Sequence, residues 1–128
     1  MQDKQVFHYA FIRFVPRVER GEFINVGVIL HCKRKRFLKA KFHIDEPRLK
    51  ALFSDINIPE LAKYLDTWDL IATGSEGGGA IAKLDSSGRF GWLTATRSTI
   101  IQSSKVHPGI CDDPEKALEN LFEKYIKN

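Results

Sequence analysis

The chain has 128 residues, of which 43% are hydrophobic and 28% charged, and this is typical of one globular domain over residues 1–128. Its formal net charge of +4 permits contact with nucleic acid or phosphate without requiring it. No apolar run approaches the roughly 20 residues of a membrane-spanning helix, and the first residues lack the pattern of a secretory signal. We therefore expect no membrane segment.

The first three predicted elements are β-strands. Residues 6–15 are apolar on both faces, which is typical of a central strand. Residues 23–31 follow, and their predicted core face consists of the even-numbered Ile24, Val26, Val28 and Leu30. Residues 37–44 alternate in the same way, with a core face of Leu38, Ala40, Phe42 and Ile44. Because the links are short, the three strands predict an antiparallel meander.

The first link, residues 16–22, is short and highly charged. Pro16 lacks an N–H and Gly21 tolerates positive φ, so the segment between them turns the chain. Six polar side chains crowd around it: Arg13, Arg17, Glu19, Arg20, Glu22 and Asn25. They form either a small polar site held by a rigid hairpin or an ordinary solvated turn.

Helical periodicity follows the meander. Asp45 is expected to cap a helix with Pro47 in its first turn, and residues 58–71 predict a second helix. Residues 74–79 predict a flexible loop, and residues 89–93 and 98–103 predict two further strands. Asp113 and Pro114 predict the start of a last helix. The sum is an α+β domain with an antiparallel sheet of about five strands and helices packed mainly on one face.

The sequence does not match the common catalytic and metal-binding motifs. Gly74 and Gly79 have phosphate-loop spacing, but the required lysine and hydroxyl residue do not follow. His31 and Cys32 are adjacent and would point to opposite faces of a strand, so they are unsuited to one zinc site. With only two cysteines, Cys32 and Cys111 are expected to be free thiols, as in a reducing cytoplasm. We expect a cytoplasmic protein without metal or cofactor.

A basic sheet face is the first candidate for binding. Lys39 and Lys41 alternate with apolar residues, and pairing of the second and third strands would bring Lys41 and His43 near Gly27 and Asn25. Basic groups interleaved with aromatic side chains bind single-stranded nucleic acid by charge and stacking. The alternative is that another segment of the chain covers this face. A glycine within a strand, as at Gly27, indicates a bulge or a close backbone approach.

The second candidate is the segment of residues 89–109. Arg97 and Ser98 offer hydrogen-bond donors, and His107 adds a group that titrates near neutrality. Such a set could hold a phosphate or carboxylate. His107 precedes Pro108 and is therefore expected to be extended and in a turn, where it could equally be a surface residue.

Both candidates coincide with a family resemblance. The elements Arg20-Gly-Glu-Phe-Ile-Asn-Val-Gly27 and Phe90-Gly-Trp-Leu93, followed by a His-Pro-Gly sequence, resemble the bacterial "domain of unknown function 3037" family over nearly the whole chain. The resemblance implies a small bacterial protein without an assigned activity, and a kinase-like neighbour as protein partner. The matching positions that could form a site are Arg13, Glu22, Asn25, Arg97, Ser98 and His107.

Two classes of function follow. The first is an accessory or binding protein that acts through a protein or nucleic-acid partner, and it is favoured because no catalytic constellation has diagnostic spacing. The second is an enzyme or anion-binding domain for a phosphate-containing substrate. In it Arg13 and Arg97 would hold the anion, and Asn25 would orient the substrate. Glu22 or His107 would transfer a proton. It requires these side chains to converge on one cleft.

Overall fold

The computed structural model describes residues 4–127, which form one antiparallel sheet of five strands with four α-helices. The strands are β1 Gln5–Phe14, β2 Ile24–Cys32, β3 Phe37–Phe42, β4 Ile101–Ser103 and β5 His107–Cys111. The helices are α1 Glu46–Leu52, α2 Ile58–Thr73, α3 Ser86–Thr94 and α4 Pro114–Tyr125. The predicted α+β class and the opening meander are confirmed, because β1 pairs with β2 and β2 with β3, both antiparallel.

β1 is the central strand, as its two apolar faces predicted. β2 lies on one side of it, and β4 and β5 share the other. On one surface of the sheet Ala10, Ile12 and Phe14 pack with side chains of α1, α2 and α3. We call this surface the three-helix face. On the opposite surface, the α4 face, Phe7, Tyr9 and Phe11 pack with α4. The helices therefore do lie mainly on one face, with α4 alone on the other.

β2 contains a β-bulge at Val26. Ile12 pairs with Gly27 and Arg13 with Asn25, so one step along β1 corresponds to two steps along β2. The extra residue reverses the alternation of side chains in the rest of β2, because successive residues of a strand point to opposite faces. The bulge thus gives each half of β2 its own core.

This reversal corrects the predicted core face of β2. Ile24 and Val26 belong to the three-helix core. Val28 and Leu30 belong to the α4 core, and Ile29 replaces them on the three-helix face. The predicted face of the third strand is unaffected, and the side chains that contact the three-helix core there are Leu38, Ala40, Phe42 and Ile44.

The predicted strand over residues 89–93 is wrong, because these residues lie within helix α3. The Asp85 side chain accepts a hydrogen bond from the backbone N–H of Gly88 at 2.8 Å and so caps the helix. Phe90 and Leu93, three residues apart, are both buried on the three-helix face. Capping and burial at helical spacing outweigh the strand preference of the aromatic residues.

The end of the sheet also differs from the prediction. Only Ile101–Ser103 of the expected strand at 98–103 is extended, and β5 was not predicted. Pro108 and Gly109 are unfavourable strand residues, but β5 is an edge strand, where a proline can be accommodated. A Cβ at Gly109 would overlap the Phe7 ring, so the glycine allows β5 to lie against β1.

The other helices begin where their capping residues indicated. Asp45 accepts from the Arg48 N–H at 3.2 Å, and Asp113 accepts from the Glu115 N–H at 3.0 Å. Within residues 4–127 no helix has the length and apolar character needed to cross a membrane. Cys32 and Cys111 are free. β1 separates their strands by two strand spacings, about 10 Å, which exceeds the reach of a disulfide.

Candidate functional site

The link between β1 and β2 is a tight polar turn. Val18–Arg20 forms one 3₁₀ turn, and Gly21 ends it with a φ of 72°. Arg20 contacts the Glu22 carboxylate, with 3.2 Å between its Nε and a carboxylate oxygen. The expected turn between Pro16 and Gly21 is therefore confirmed, and it fixes the charged side chains at one end of the sheet.

A cleft of about 440 Å³ lies between this turn and the loop that joins α1 to α2. We call it the link cleft. Its apolar lining residues are Phe14, Pro16, Phe53, Ile56, Leu61 and Ile100. Its polar lining residues are Arg17, Glu19, Asp55, Asn57 and Glu60. The floor is built from the three-helix core, because Phe14 packs edge-on against Phe53 at 6.0 Å between ring centroids.

The mouth of the link cleft is acidic. Three carboxylates line it against one guanidinium, that of Arg17, which contacts the Asp55 carboxylate at 3.7 Å. The protein as a whole is cationic, so the acidic mouth is a local feature. A side recess of about 240 Å³ adjoins the cleft, and its lining includes Arg20 and Glu22. Of the predicted site residues, Glu22, the candidate for proton transfer, thus lies beside the cleft.

The loop between α1 and α2 supplies cleft residues that the sequence analysis missed. Asn57 caps α2 by accepting from the Glu60 N–H at 3.0 Å, and this places Glu60 at the mouth. Asp55 bridges from the same loop to Arg17. The one available signal was the Asn57-Ile-Pro-Glu60 helix start. It predicts a cap, but not that the capped end faces the first hairpin.

Arg13 and Asn25 do not join the link cleft. Their side chains lie on the α4 face, because Ile12 and Phe14 on either side of Arg13 point into the three-helix core. The Arg13 guanidinium lies over the Phe23 ring, 4.1 Å from its centroid. The polar set around the first link is thus divided between the two surfaces of the sheet.

The basic sheet face is covered, as the alternative interpretation held. Helix α4 lies across it, and Lys39 pairs with Glu115 at 3.0 Å and Lys41 with Glu119 at 2.6 Å. Lys41 does lie near Gly27, because it is the neighbour of Phe42, with which Gly27 pairs. The bulge nevertheless puts Gly27 at a position on the three-helix face, whereas Lys41 lies on the α4 face. Both lysines are bound to carboxylates in place of forming an open cationic surface.

Arg97, Ser98 and His107 have separate surroundings. Arg97 lies over the Trp92 ring, 4.2 Å from its centroid, and donates to the Trp92 carbonyl oxygen at the end of α3. Ser98 is exposed. His107 is in strand β5 in place of the expected turn, and its ring lies 5.4 Å from that of Tyr9. Within residues 4–127 no hydrogen bond, ion pair or ring contact joins any two of Arg13, Glu22, Arg97 and His107.

A buried histidine is a further polar site that the sequence analysis did not identify. His31 is 6% exposed, and its Nε2 lies 3.1 Å from the Ser86 Oγ at the start of α3. Burial lowers the pKa of His31, the positive charges of His8 and Arg89 lower it further, and Asp85 opposes them. The two partners are 55 residues apart and the region of Ser86 was not predicted to be helical, so no sequence signal linked them.

No metal cluster is apparent in the described part of the chain: no group of three or more His, Cys, Asp or Glu side chains among residues 4–127 could hold an ion. The sequence model of a family described as "Protein of unknown function (DUF3037)" matches residues 9–126. The chain belongs to this family. No curated protein and no solved structure matches it.

Proposed function

We propose that this DUF3037 protein is an accessory binding module that recognises a protein partner through the link cleft. The observation that carries the proposal is a cleft of about 440 Å³ with an apolar floor and an acidic mouth. At protein–protein interfaces, most of the binding energy comes from a few anchor side chains that fill desolvated pockets of the partner. An apolar side chain of the partner would fill the floor, and a neighbouring lysine or arginine would meet the carboxylates at the mouth.

The charge at the cleft favours a protein over a nucleic acid. Phosphates would be repelled by Glu19, Asp55 and Glu60, which outnumber the one arginine there. The predicted basic surface also loses its attraction for phosphate where Lys39 and Lys41 are neutralised by α4. A nucleic-acid partner would therefore need a surface other than the link cleft and the lysine-bearing face of β3.

A binding role is favoured over the enzyme alternative. That alternative required Arg13, Glu22, Arg97 and His107 to act on one substrate, and their side chains have separate partners. The lining of the link cleft contains no histidine, cysteine or hydroxyl side chain that could serve as nucleophile or proton shuttle near neutral pH. The proposal includes the bacterial cytoplasm as the location, and the kinase-like protein suggested by the family resemblance as the first partner to test.

Site-specific cross-linking in the native cell tests this proposal. A photoreactive amino acid placed at Asp55, in the cleft, should cross-link to a partner, and the same amino acid at Glu123 on α4 should not give that adduct. Reversing the mouth charge with Glu19→Lys and Glu60→Lys should abolish the adduct. Glu123→Lys, a matched charge reversal on α4, should preserve it. An adduct that is insensitive to the mouth charges, or that forms equally from both positions, would rule the cleft out.

A further inference from the structure

The α4 face carries a polar row near the end of β1. Arg13 pairs with Asn25 on β2 and with Gln102 on β4, and paired residues of a sheet point to the same face. The row lies beyond Phe11, which is the last apolar residue of β1 on this face and packs against Tyr125 at 5.4 Å between ring centroids. The row is therefore next to the end of α4.

Two complementary groups in this row are left without partners. Arg13 Nε, a donor, and Asn25 Oδ1, an acceptor, are shielded from solvent and have no hydrogen-bond partner among residues 4–127. A buried polar group without a partner costs roughly 1–3 kcal/mol. Gln102 is differently placed, because its amide already donates to the Thr99 carbonyl oxygen at 2.7 Å. A ligand with an acceptor for Arg13 Nε and a donor for Asn25 Oδ1 would supply both missing hydrogen bonds.

The charge of Arg13 is also uncompensated. The neighbouring Arg17 and Arg20 each contact a carboxylate, that of Asp55 and that of Glu22. Within residues 4–127, the contact found for Arg13 is the Phe23 ring, not an acid. A ring stacked on a guanidinium covers its flat face and leaves the N–H groups at its edge able to bind an oxyanion in the plane.

Aromatic side chains flank the row and are about half exposed. Phe23 is 46% exposed and Tyr125 47%. The Lys124 ammonium lies over the Tyr125 ring, 5.2 Å from its centroid, and adds a second positive charge nearby. Phe23 precedes β2 and is not held within the sheet. Rotation of its ring away from Arg13 would admit a ligand to the shielded atoms.

We propose that Arg13 and Asn25 form an oxyanion-binding site for a carboxylate or phosphate carried next to a hydrogen-bond donor. The oxyanion is held by the Arg13 guanidinium, and the donor binds Asn25 Oδ1. Phe23 covers the site when it is empty and packs against the ligand when it is bound. This site lies on the opposite surface of the sheet from the link cleft and does not depend on the proposed function, so one partner or two separate ligands could occupy the two sites.

NMR titration of the full chain tests the site directly. The probes are inorganic phosphate and N-acetylglycine, whose carboxylate lies beside an amide N–H, each compared with sodium chloride at equal ionic strength. We expect saturable shifts of the Arg13 Nε–H and Asn25 side-chain amide signals, while the signals of Arg17 and Arg20 stay within the sodium chloride control. The probe that saturates at the lower concentration identifies the oxyanion. Arg13→Gln should abolish the shift of the Asn25 side-chain amide signal, and the matched Arg20→Gln should keep it.

A second variant tests the site in case Arg13→Gln does not fold. Asn25→Asp places a carboxylate opposite Arg13, so it should supply the missing ion pair, raise the melting temperature and abolish binding of both probes. Loss of probe binding together with a higher melting temperature supports the site. Absence of saturable shifts in the native protein, or probe binding that survives Asn25→Asp, overturns the proposal.

Discussion

The two surfaces of the sheet near the first hairpin contrast sharply, although residues 13–25 contribute side chains to both. On the three-helix side, Arg17 and Asp55 form an exposed ion pair at the mouth of the link cleft. On the α4 side, Arg13 and Asn25 are half-buried and contain shielded polar atoms that have no hydrogen-bond partner in the part of the chain that the structure describes. The first surface has an excess of carboxylates over its one guanidinium and an open apolar floor. The second has an unmatched charge beneath an aromatic cover.

The difference shows that the backbone position of an arginine, in a strand or in a link, determines which groups its side chain can contact. Arg13 lies in β1, where strand alternation holds its side chain against one face of the sheet. Arg17 lies in the link, where the backbone allows it to reach an acid of another element. An exposed pair such as Arg17–Asp55 contributes at most about 1 kcal/mol, so its main effect is on the charge of the cleft. We expect Arg13 to have more effect on binding than Arg17, because its partial burial strengthens electrostatic interactions.

Removing core side chains from the two faces should have the largest effect. Leu118 on α4 and Leu61 on α2 are both fully buried. Each change to Ala should lower the free energy of unfolding by about 2–5 kcal/mol, measured by urea denaturation. Because both cores share β1, we expect a single transition in each variant, seen equally by fluorescence and circular dichroism. Two separate transitions in Leu118→Ala would show instead that α4 folds as an independent unit.

The close approach of β2 to β3 beside the bulge can be tested with a pair of glycines. A Cβ at Gly27 would lie 2.7 Å from both the Lys41 carbonyl oxygen and the Phe42 ring, so Gly27→Ala should cost about 1–3 kcal/mol. Gly91 lies within α3, where a Cβ would meet no atom. Gly91→Ala should therefore stabilise the protein by up to about 1 kcal/mol through helix propensity. Effects of the same sign in thermal unfolding would contradict the close approach at Gly27.

The buried histidine on the three-helix side predicts a pH dependence of stability. The pKa of His31 is lowered in the folded state, mainly by burial, while in the unfolded chain it takes its ordinary value of 6.5. Below pH 6.5 the unfolded state binds more protons at this position, so the free energy of unfolding falls as the pH decreases. It falls until the pH reaches the lowered pKa. His31→Gln should give a flatter profile than the native protein over this range, and an unchanged slope would refute the assignment.

The sequence predicted the sheet well where alternation and burial agree. β1 and β3 carry unambiguous apolar patterns, and Asp45 and Asp113 mark helix starts by local hydrogen bonding. α3 was mistaken for a strand because it is short and aromatic, and its burial depends on contacts with distant segments. β5 contains Pro108 and Gly109, which only the edge position and the Phe7 ring make suitable.

The site was predictable only in part, for a related reason. The high density of charged residues made the first link a candidate polar site, and this link does border the link cleft. The opposite wall comes from the α1–α2 loop, more than thirty residues later, whose docking depends on tertiary packing. Gly27 did indicate a bulge or a close backbone approach, and both are present beside it. The even-numbered alternation of β2 did not show that the bulge reverses its two faces. Local patterns therefore identified the charged residues without assigning them to surfaces.

The smallest expected effect on stability comes from the exposed ion pair of the link cleft. Arg17→Gln removes the one positive charge at the mouth, and the exposure of both partners limits the loss of stability to about 1 kcal/mol. The cleft should nevertheless bind a cationic ligand more tightly, because Asp55 is freed and the mouth becomes more acidic. Fluorescence anisotropy with a labelled Lys-Leu-Lys peptide should show a lower Kd and a steeper salt dependence than the native protein.

The matched control is Arg20→Gln, which breaks the Arg20–Glu22 pair in the side recess and leaves the mouth of the cleft unchanged. It should alter the affinity for the peptide less than Arg17→Gln does, because its charge is farther from the apolar floor. If the peptide binds equally to all three proteins, the carboxylates at the mouth do not select the ligand. The two surfaces would then differ in packing alone, and the charge difference between them would have no part in recognition.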